Sequence, residues 1–181
     1  MSSQFRARIA LVAVIIAFAI PVIIAKVVLD NHWYQGGVTN EGTMLVPPIE
    51  LGDTLNQTLP AQWRIGYVVH GNCEAQCQQA LYALNQTDIA LGRESDRVQP
   101  IVVSSGDIEF SLEQVPMVQH LTNAELIDAL ADLPPHRIFI SDPLGNVILH
   151  YETFADETAM RAEAKSMLSD LRKLLKLSKI G

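Results

Sequence analysis

Trp63-Arg-Ile-Gly-Tyr-Val-Val69 runs into His70-Gly-Asn-Cys-Glu-Ala-Gln-Cys77 and then into Gln78-Gln-Ala-Leu-Tyr-Ala-Leu84, and the fold turns on how these segments are read. The first is rich in β-branched and aromatic residues and reads as a strand; the last reads as a helix. Cys73 and Cys77, the only cysteines in the chain, therefore stand in the turn between a strand and a helix N-terminus. Unpaired N–H groups and the helix dipole favour thiolate there, and thiolate is both the nucleophile and the soft-metal ligand. Two sulfurs at i and i+4 lie on one helical face, near enough to form a disulfide or to grip one metal ion.

A purely structural disulfide is the competing reading. It would close a very short loop, which takes little entropy from the unfolded chain, so a functional thiol pair is the better account. Cys73 is nearer the loop and is expected to be the more exposed sulfur. Glu74, between the two, repels thiolate and so opposes the helix dipole, which argues against a strong oxidase.

Working outward, the periodicities alternate. The helix that holds Cys77 is predicted to run from about Ala75 to Leu91, and Gln99–Val103 reads as a strand. Thr122-Asn-Ala-Glu125 has the form of a capping box opening a helix through about Leu133. Arg137–Ser141 and Val147–Tyr151 read as strands joined by the turn Asp142-Pro-Leu-Gly-Asn146, and an amphipathic helix follows from near Asp156 to about Leu177. The order β-α-β-α-β-β-α, with thiols after the first strand, is the thioredoxin arrangement, so residues 59–181 are expected to form an α/β, thioredoxin-like domain. Arg172, Lys173, Lys176 and Lys179 give the last helix a basic end, which reads as a solvated terminus complementing its dipole.

Ile9 to Ala25 contains no charged residue, and the apolar run resumes after Lys26 as far as Leu29. As a helix, 9–29 would be about 31 Å long, enough to cross a bilayer core. Lys26 can snorkel to the headgroups, and Trp33 and Tyr34 suit the interfacial belt. Arg6 and Arg8 precede the span with no acidic residue before them, which places 1–8 in the cytoplasm as a tail and everything after the anchor across the membrane. Ala17-Phe-Ala19 resembles a cleavage site, so a removed signal peptide is the alternative; the apolar run continues well past it, which favours a retained anchor. Residues 30–58, rich in Gly, Asn, Thr and Pro with Pro47-Pro48 in the middle, read as a periplasmic tether. The net charge of −7 gives the exported part no electrostatic reason to bind nucleic acid.

The segment from Tyr67 to Leu81 resembles the Sco/SenC proteins, membrane-anchored thioredoxin-like factors that assemble the copper centre of cytochrome oxidase. That family has an aromatic strand, then C-x-x-x-C, then a leucine four residues past the second cysteine; Cys73, Cys77 and Leu81 stand in those places. The anchor, the tether and Asp142-Pro-Leu-Gly145 match as well. Glu74 and Gln78 stand where the family usually has proline, and His136 lies slightly later than its copper-binding histidine. With the ending Leu171–Gly181, the chain is most similar to small membrane-anchored thioredoxin-like proteins associated with bacterial cytochrome oxidase assembly.

The resemblance implies a single-pass protein of the bacterial inner membrane with a periplasmic C-terminal domain. Its expected function is that of a cytochrome c oxidase assembly factor handling copper or copper-ligand thiols, with an oxidase subunit or another assembly factor as partner. Cys73, Cys77 and His136, which follows Pro134-Pro135, are the expected Cu(I) ligands, and His70 is the reserve; His32, His120 and His150 read as surface residues. A general periplasmic thiol–disulfide oxidoreductase and a non-catalytic scaffold are the alternatives.

Overall fold

Trp63–Val68 (β2) is buried along its whole length, as a near-continuous apolar run must be when both faces of a sheet are covered. It lies inside a six-stranded sheet of order β1-β6-β5-β2-β3-β4, formed with Thr43–Glu50 (β1), Val98–Ser104 (β3), Gln119–Thr122 (β4), Arg137–Ser141 (β5) and Asn146–Glu152 (β6). β2, β3 and β4 are parallel; β5 is antiparallel to β2, and β6 and β1 continue that side antiparallel. The structure, a computed structural model, describes residues 3–30, 39–52, 59–178 and 180. It divides into two units, Met1–Thr39 and Asn40–Gly181.

The first unit is helix α1, Ser3–Asp30. Its stretch Arg8–Val28, 21 residues with a mean hydropathy of 2.9, is long and apolar enough to cross a membrane. Pro21 lies inside it, a placement that membrane helices tolerate. His32, Trp33 and Tyr34, and the side chain of Arg6, lie outside the described residues.

In the second unit, α2 (Ala75–Leu91) and α4 (Glu157–Leu177) cover one face of the sheet. Cys77, Ala80, Leu81, Leu84 and Leu91 recur at helical spacing on the buried side of α2. They share one apolar cluster with Ile65, Tyr67 and Val69 from the strand side and Met167 and Leu171 from α4. Asp156 caps α4 by accepting from the Ala159 N–H at 2.8 Å. The opposite face carries Val68, Phe139, Leu126 and Leu130, with α3 (Ala124–Ala129) lying over it. Gly66 and Phe139 are cross-strand partners, and a Cβ on Gly66 would run into the Phe139 ring. Gly66→Ala is therefore expected to destabilise the domain by about 1–3 kcal/mol through overpacking. A urea midpoint equal to that of the parent chain would contradict this.

The β5–β6 turn is built as the sequence predicts. The Asp142 carboxylate accepts from the Leu144 and Asn146 N–H groups, both at 2.9 Å, and Gly145 takes the left-handed φ of 91°. The start of α3 differs by one residue: Thr122 ends β4, paired with Ser104, so Asn123 supplies the cap, accepting from Leu126 N–H at 3.0 Å. α3 also stops at Ala129 rather than near Leu133. Its last turn tightens into i→i+3 bonds, Ala131 to Asp128 and Leu133 to Leu130, ahead of Pro134, which disfavours helical backbone before it.

The tether expected over 30–58 requires correction, because Thr43–Glu50 is a strand of the sheet. It pairs with β6 through Thr43 with His150 and Met44 with Leu149, then again at Ile49 with Val147 after a register shift. Pro47 and Pro48 hide the strand signal, yet an edge strand with an irregular register is where proline is admitted. A buried carboxylate fixes the entry to this strand: Asp170 accepts from the N–H of Glu41 at 2.7 Å, the N–H of Gly42 at 2.9 Å and the Tyr151 hydroxyl at 2.9 Å. Lys173 adds an ion pair at 3.1 Å.

Candidate functional site

β2 delivers the chain to the cysteine turn. Val69 still bonds to β3, its N–H donating to Val103 O at 2.9 Å, and Gly71 then turns the backbone with φ 75°. Glu74 N–H donates to Asn72 O at 3.0 Å, and Gln78 N–H to Glu74 O at 2.9 Å, so Cys73 lies in the loop and Cys77 in the first turn of α2. The Gln78 side chain donates to Cys73 O at 3.0 Å and holds the loop against the helix. Glu74 occupies the N-cap position without giving a side-chain cap, so no capping carboxylate competes for the first-turn N–H groups that favour thiolate.

Cys73 and Cys77 are joined in a disulfide with their Cα atoms 5.1 Å apart. Both are buried, at 5 % and 6 % exposure. The expectation that Cys73 is the more exposed is not met in this oxidised form: the bridge holds both sulfurs in the apolar cluster beside Tyr67, Val69 and Leu81. Cys77 lines a cavity of about 450 Å³ together with Tyr67, His70, Glu74, Gln76 and His136. The site is a buried disulfide with a polar, imidazole-lined approach.

His136 is the last residue before β5, the antiparallel neighbour of β2 in the sheet. Its φ is 55°, the left-handed region that a non-glycine residue enters only when its surroundings hold it there. Its Nδ1 lies 3.3 Å from the Tyr67 hydroxyl, and its ring meets His70 edge-on with centroids 6.1 Å apart. Burial pushes the Tyr67 phenol above its ordinary pKa, so it stays a neutral hydrogen-bonding group. Thr153 Oγ1 donates to His136 O at 2.7 Å. Gln76, between the cysteines, donates to Thr153 O at 2.7 Å and to its Oγ1 at 2.9 Å.

The fold thus gathers the three expected site residues, Cys73, Cys77 and His136, with the reserve His70, around one turn and its cavity. The other described histidines stand elsewhere. His120, on edge strand β4, has Nε2 2.6 Å from Ser104 Oγ, and His150 is half-buried on β6 with its pKa lowered by burial and then by Arg137. Among the described residues no three His, Cys, Asp or Glu side chains are grouped as a metal site; the sulfurs are bonded to each other. Tyr67, Gln76 and Thr153 were not legible as site residues. Gln76 has the one signal, its place inside the cysteine turn, but its partner lies 77 residues away.

Comparison with curated proteins gives no match. Among solved structures, apo Sco1 from Thermus thermophilus is 18% identical with a TM-score of 0.53, over 77% of this chain and 99% of that chain. Yeast Sco1 is 17% identical with a TM-score of 0.52, over 79% and 98%. Bradyrhizobium japonicum ScoI with copper bound is 15% identical with a TM-score of 0.47, over 73% and 98%. The likeness to the first two shows a shared thioredoxin-like fold. Residues 63–178 match the family model described as transmembrane-like, thioredoxin-like, C-terminal domain. That match runs from β2 through α4 and contains both cysteines and His136, so the chain belongs to the family of transmembrane-like, thioredoxin-like proteins.

Proposed function

We propose that this chain is a membrane-anchored assembly factor for cytochrome c oxidase, acting through Cys73 and Cys77 on copper-ligand thiols or on Cu(I) as cargo, with its C-terminal domain in the periplasm. The observation that carries this reading is the disulfide seated at a histidine-lined cavity. A client thiolate entering there attacks one sulfur of the bridge; a mixed disulfide forms as the Cys73–Cys77 bond breaks, and the departing thiolate takes a proton. The client's second thiolate then displaces the chain, leaving a client disulfide and a Cys73, Cys77 dithiol, two electrons having passed to the chain. The reverse sequence reduces an oxidised ligand pair.

Once reduced, the two thiolates would offer soft donors, and the His136 imidazole, if brought to them, would complete a set whose softness fits Cu(I). Burial of both sulfurs means that a client must open the site to reach them, which weighs against a general oxidoreductase, whose thiol is exposed. The resemblance to Sco proteins supports the pathway.

The test is exchange between the full chain in lipid nanodiscs and a fragment of an oxidase subunit carrying its copper-ligand cysteines, with insulin as the general substrate. Faster exchange with the fragment is expected. Faster insulin reduction would favour the general oxidoreductase, and complementation of oxidase assembly by a chain lacking both cysteines would favour the scaffold. An alkaline phosphatase fused after Gly181 is expected to be active; an inactive fusion would overturn the orientation.

A further inference from the structure

We infer that Gln76 is a positioning residue for His136: from inside the cysteine turn it holds Thr153, and through Thr153 the His136 peptide, so that the imidazole faces the disulfide cavity. The inference deepens the proposed function and depends on it for what the imidazole does there, not for where it is held.

The register of the hairpin shows what this arrangement replaces. Arg137 and Glu152 form the last backbone pair of β5 and β6, so His136 and Thr153 stand one step beyond the ladder. At that step a side chain closes the hairpin: Thr153 Oγ1 donates to His136 O at 2.7 Å. A threonine hydroxyl has one proton to give and lone pairs to accept with. With its proton committed to His136, the same oxygen accepts from Gln76 Nε2 at 2.9 Å, while Thr153 O accepts from that nitrogen at 2.7 Å. Thr153 is buried, so water does not offer these groups an easy substitute.

The relay matters because of the backbone it fixes. At φ 55°, His136 sits in a conformation that costs about 1–2 kcal/mol for an L-residue. Released, its peptide would relax toward ordinary angles and swing the ring out of reach of Tyr67. The residue is held at both ends, its carbonyl by Thr153 and its Nδ1 by the Tyr67 hydroxyl at 3.3 Å. Gln76 belongs to neither strand of the hairpin; it comes from the first turn of α2, one residue before Cys77. The helix that carries the sulfur thereby also sets the histidine.

Three variants of the full chain in nanodiscs separate positioning from mere stapling. Gln76→Glu keeps the shape and removes both donor hydrogens. Thr153→Val removes the bond to His136 O but leaves Thr153's backbone carbonyl for Gln76. Thr153→Ser keeps the hydroxyl and serves as the rescue. The first readout is the His136 ring resonance in histidine-labelled protein, assigned by its loss in His136→Gln. The second is the rate of exchange between the oxidised chain and the oxidase fragment. Gln76→Glu and Thr153→Val are each expected to shift the His136 resonance and to slow exchange about three- to tenfold, the scale of one hydrogen bond. The double variant should be no slower than the worse single one, because both act on one relay. Thr153→Ser should restore both readouts. An unmoved His136 resonance in Gln76→Glu and Thr153→Val would overturn the inference, even if their unfolding midpoints fall. If the parent chain exchanges no thiols with the fragment, the proposed function fails, while the resonance still decides whether Gln76 positions His136.

Discussion

Cys73→Ser and Cys77→Ser are each expected to reduce thiol exchange with the oxidase fragment to background and to abolish tight Cu(I) binding by the reduced chain. Turnover needs both sulfurs, one to form the mixed disulfide and one to resolve it. A hydroxyl is a poor ligand for a soft ion, so either change removes half of the thiolate set. The two variants should nevertheless differ. Cys77 lines the cavity beside His70 and His136, so Cys73→Ser, which keeps that sulfur as the attacking thiolate, is expected to trap the fragment supplied in its disulfide form in the higher yield, the mixed disulfide forming as the fragment's own S–S bond breaks. Opening the bridge costs stability of about 2 kcal/mol for so short a loop, and the reference for both variants is therefore the reduced parent chain. Chelator competition in the absence of oxygen reads the copper arm. If the reduced parent does not compete for Cu(I), the cargo role is lost and thiol exchange remains. If the serine variants exchange as fast as the parent, Cys73 and Cys77 are not the site.

Much of this site was legible in the sequence because its chemistry is local. A strand, a turn with two thiols and a helix occupy consecutive residues, and α2 begins and ends where the apolar spacing places it, at Ala75 and Leu91. The β5–β6 turn was legible for the same reason: Asp142 and Gly145 satisfy a tight turn without help from elsewhere. What escaped is held by distant partners. β1 exists because β6 pairs with it and because Asp170 grips Glu41 and Gly42, and its own residues, with two consecutive prolines, argue for a linker. β4 is four residues long at the other edge and is completed by β3.

The same distinction runs through the site. His136 was legible as a candidate only by resemblance, and the feature that defines it, a left-handed backbone, follows from Thr153 and Gln76 rather than from its neighbours Pro135 and Arg137. Tyr67 read as one more apolar residue of β2, and its hydroxyl acquires a role only when the sheet brings the His136 ring to it. Periodicity reports which face of an element is buried. It does not report which polar tip on that face meets a ligand or a histidine from another strand.

Asp170→Asn is expected to destabilise the folded unit by about 2–4 kcal/mol, since it removes a buried carboxylate that accepts several charge-assisted hydrogen bonds. One oxygen of Asp170 takes the N–H groups of Glu41 and Gly42 and the Tyr151 hydroxyl; an amide nitrogen in that place would set donor against donor. Gly42 leaves no room for adjustment, because even a Cβ there would stand 2.5 Å from the Tyr151 ring. Burial alone would raise the Asp170 pKa, but the hydrogen bonds from Gly42, Lys173, Tyr151 and Glu41 outweigh it and hold the carboxyl below its ordinary value. Burial and then the Asp170 charge push the Tyr151 phenol far upward, so it stays a donor. A carboxyl whose folded pKa is depressed stabilises the fold above its unfolded pKa of about 3.9 and loses that contribution as pH falls through the lower folded value. Urea unfolding of the parent chain should therefore weaken with acid, and Asp170→Asn should flatten that part of the profile while lowering the midpoint at neutral pH. Equal midpoints at neutral pH would show that the clamp on Glu41 and Gly42 does not hold β1. The expected loss would instead free the edge of β6, with the pairings of Thr43 to His150 and Met44 to Leu149 opening first. Amide exchange at Thr43 and Met44 should then rise in Asp170→Asn while β2 and β3, at the centre of the sheet, remain protected.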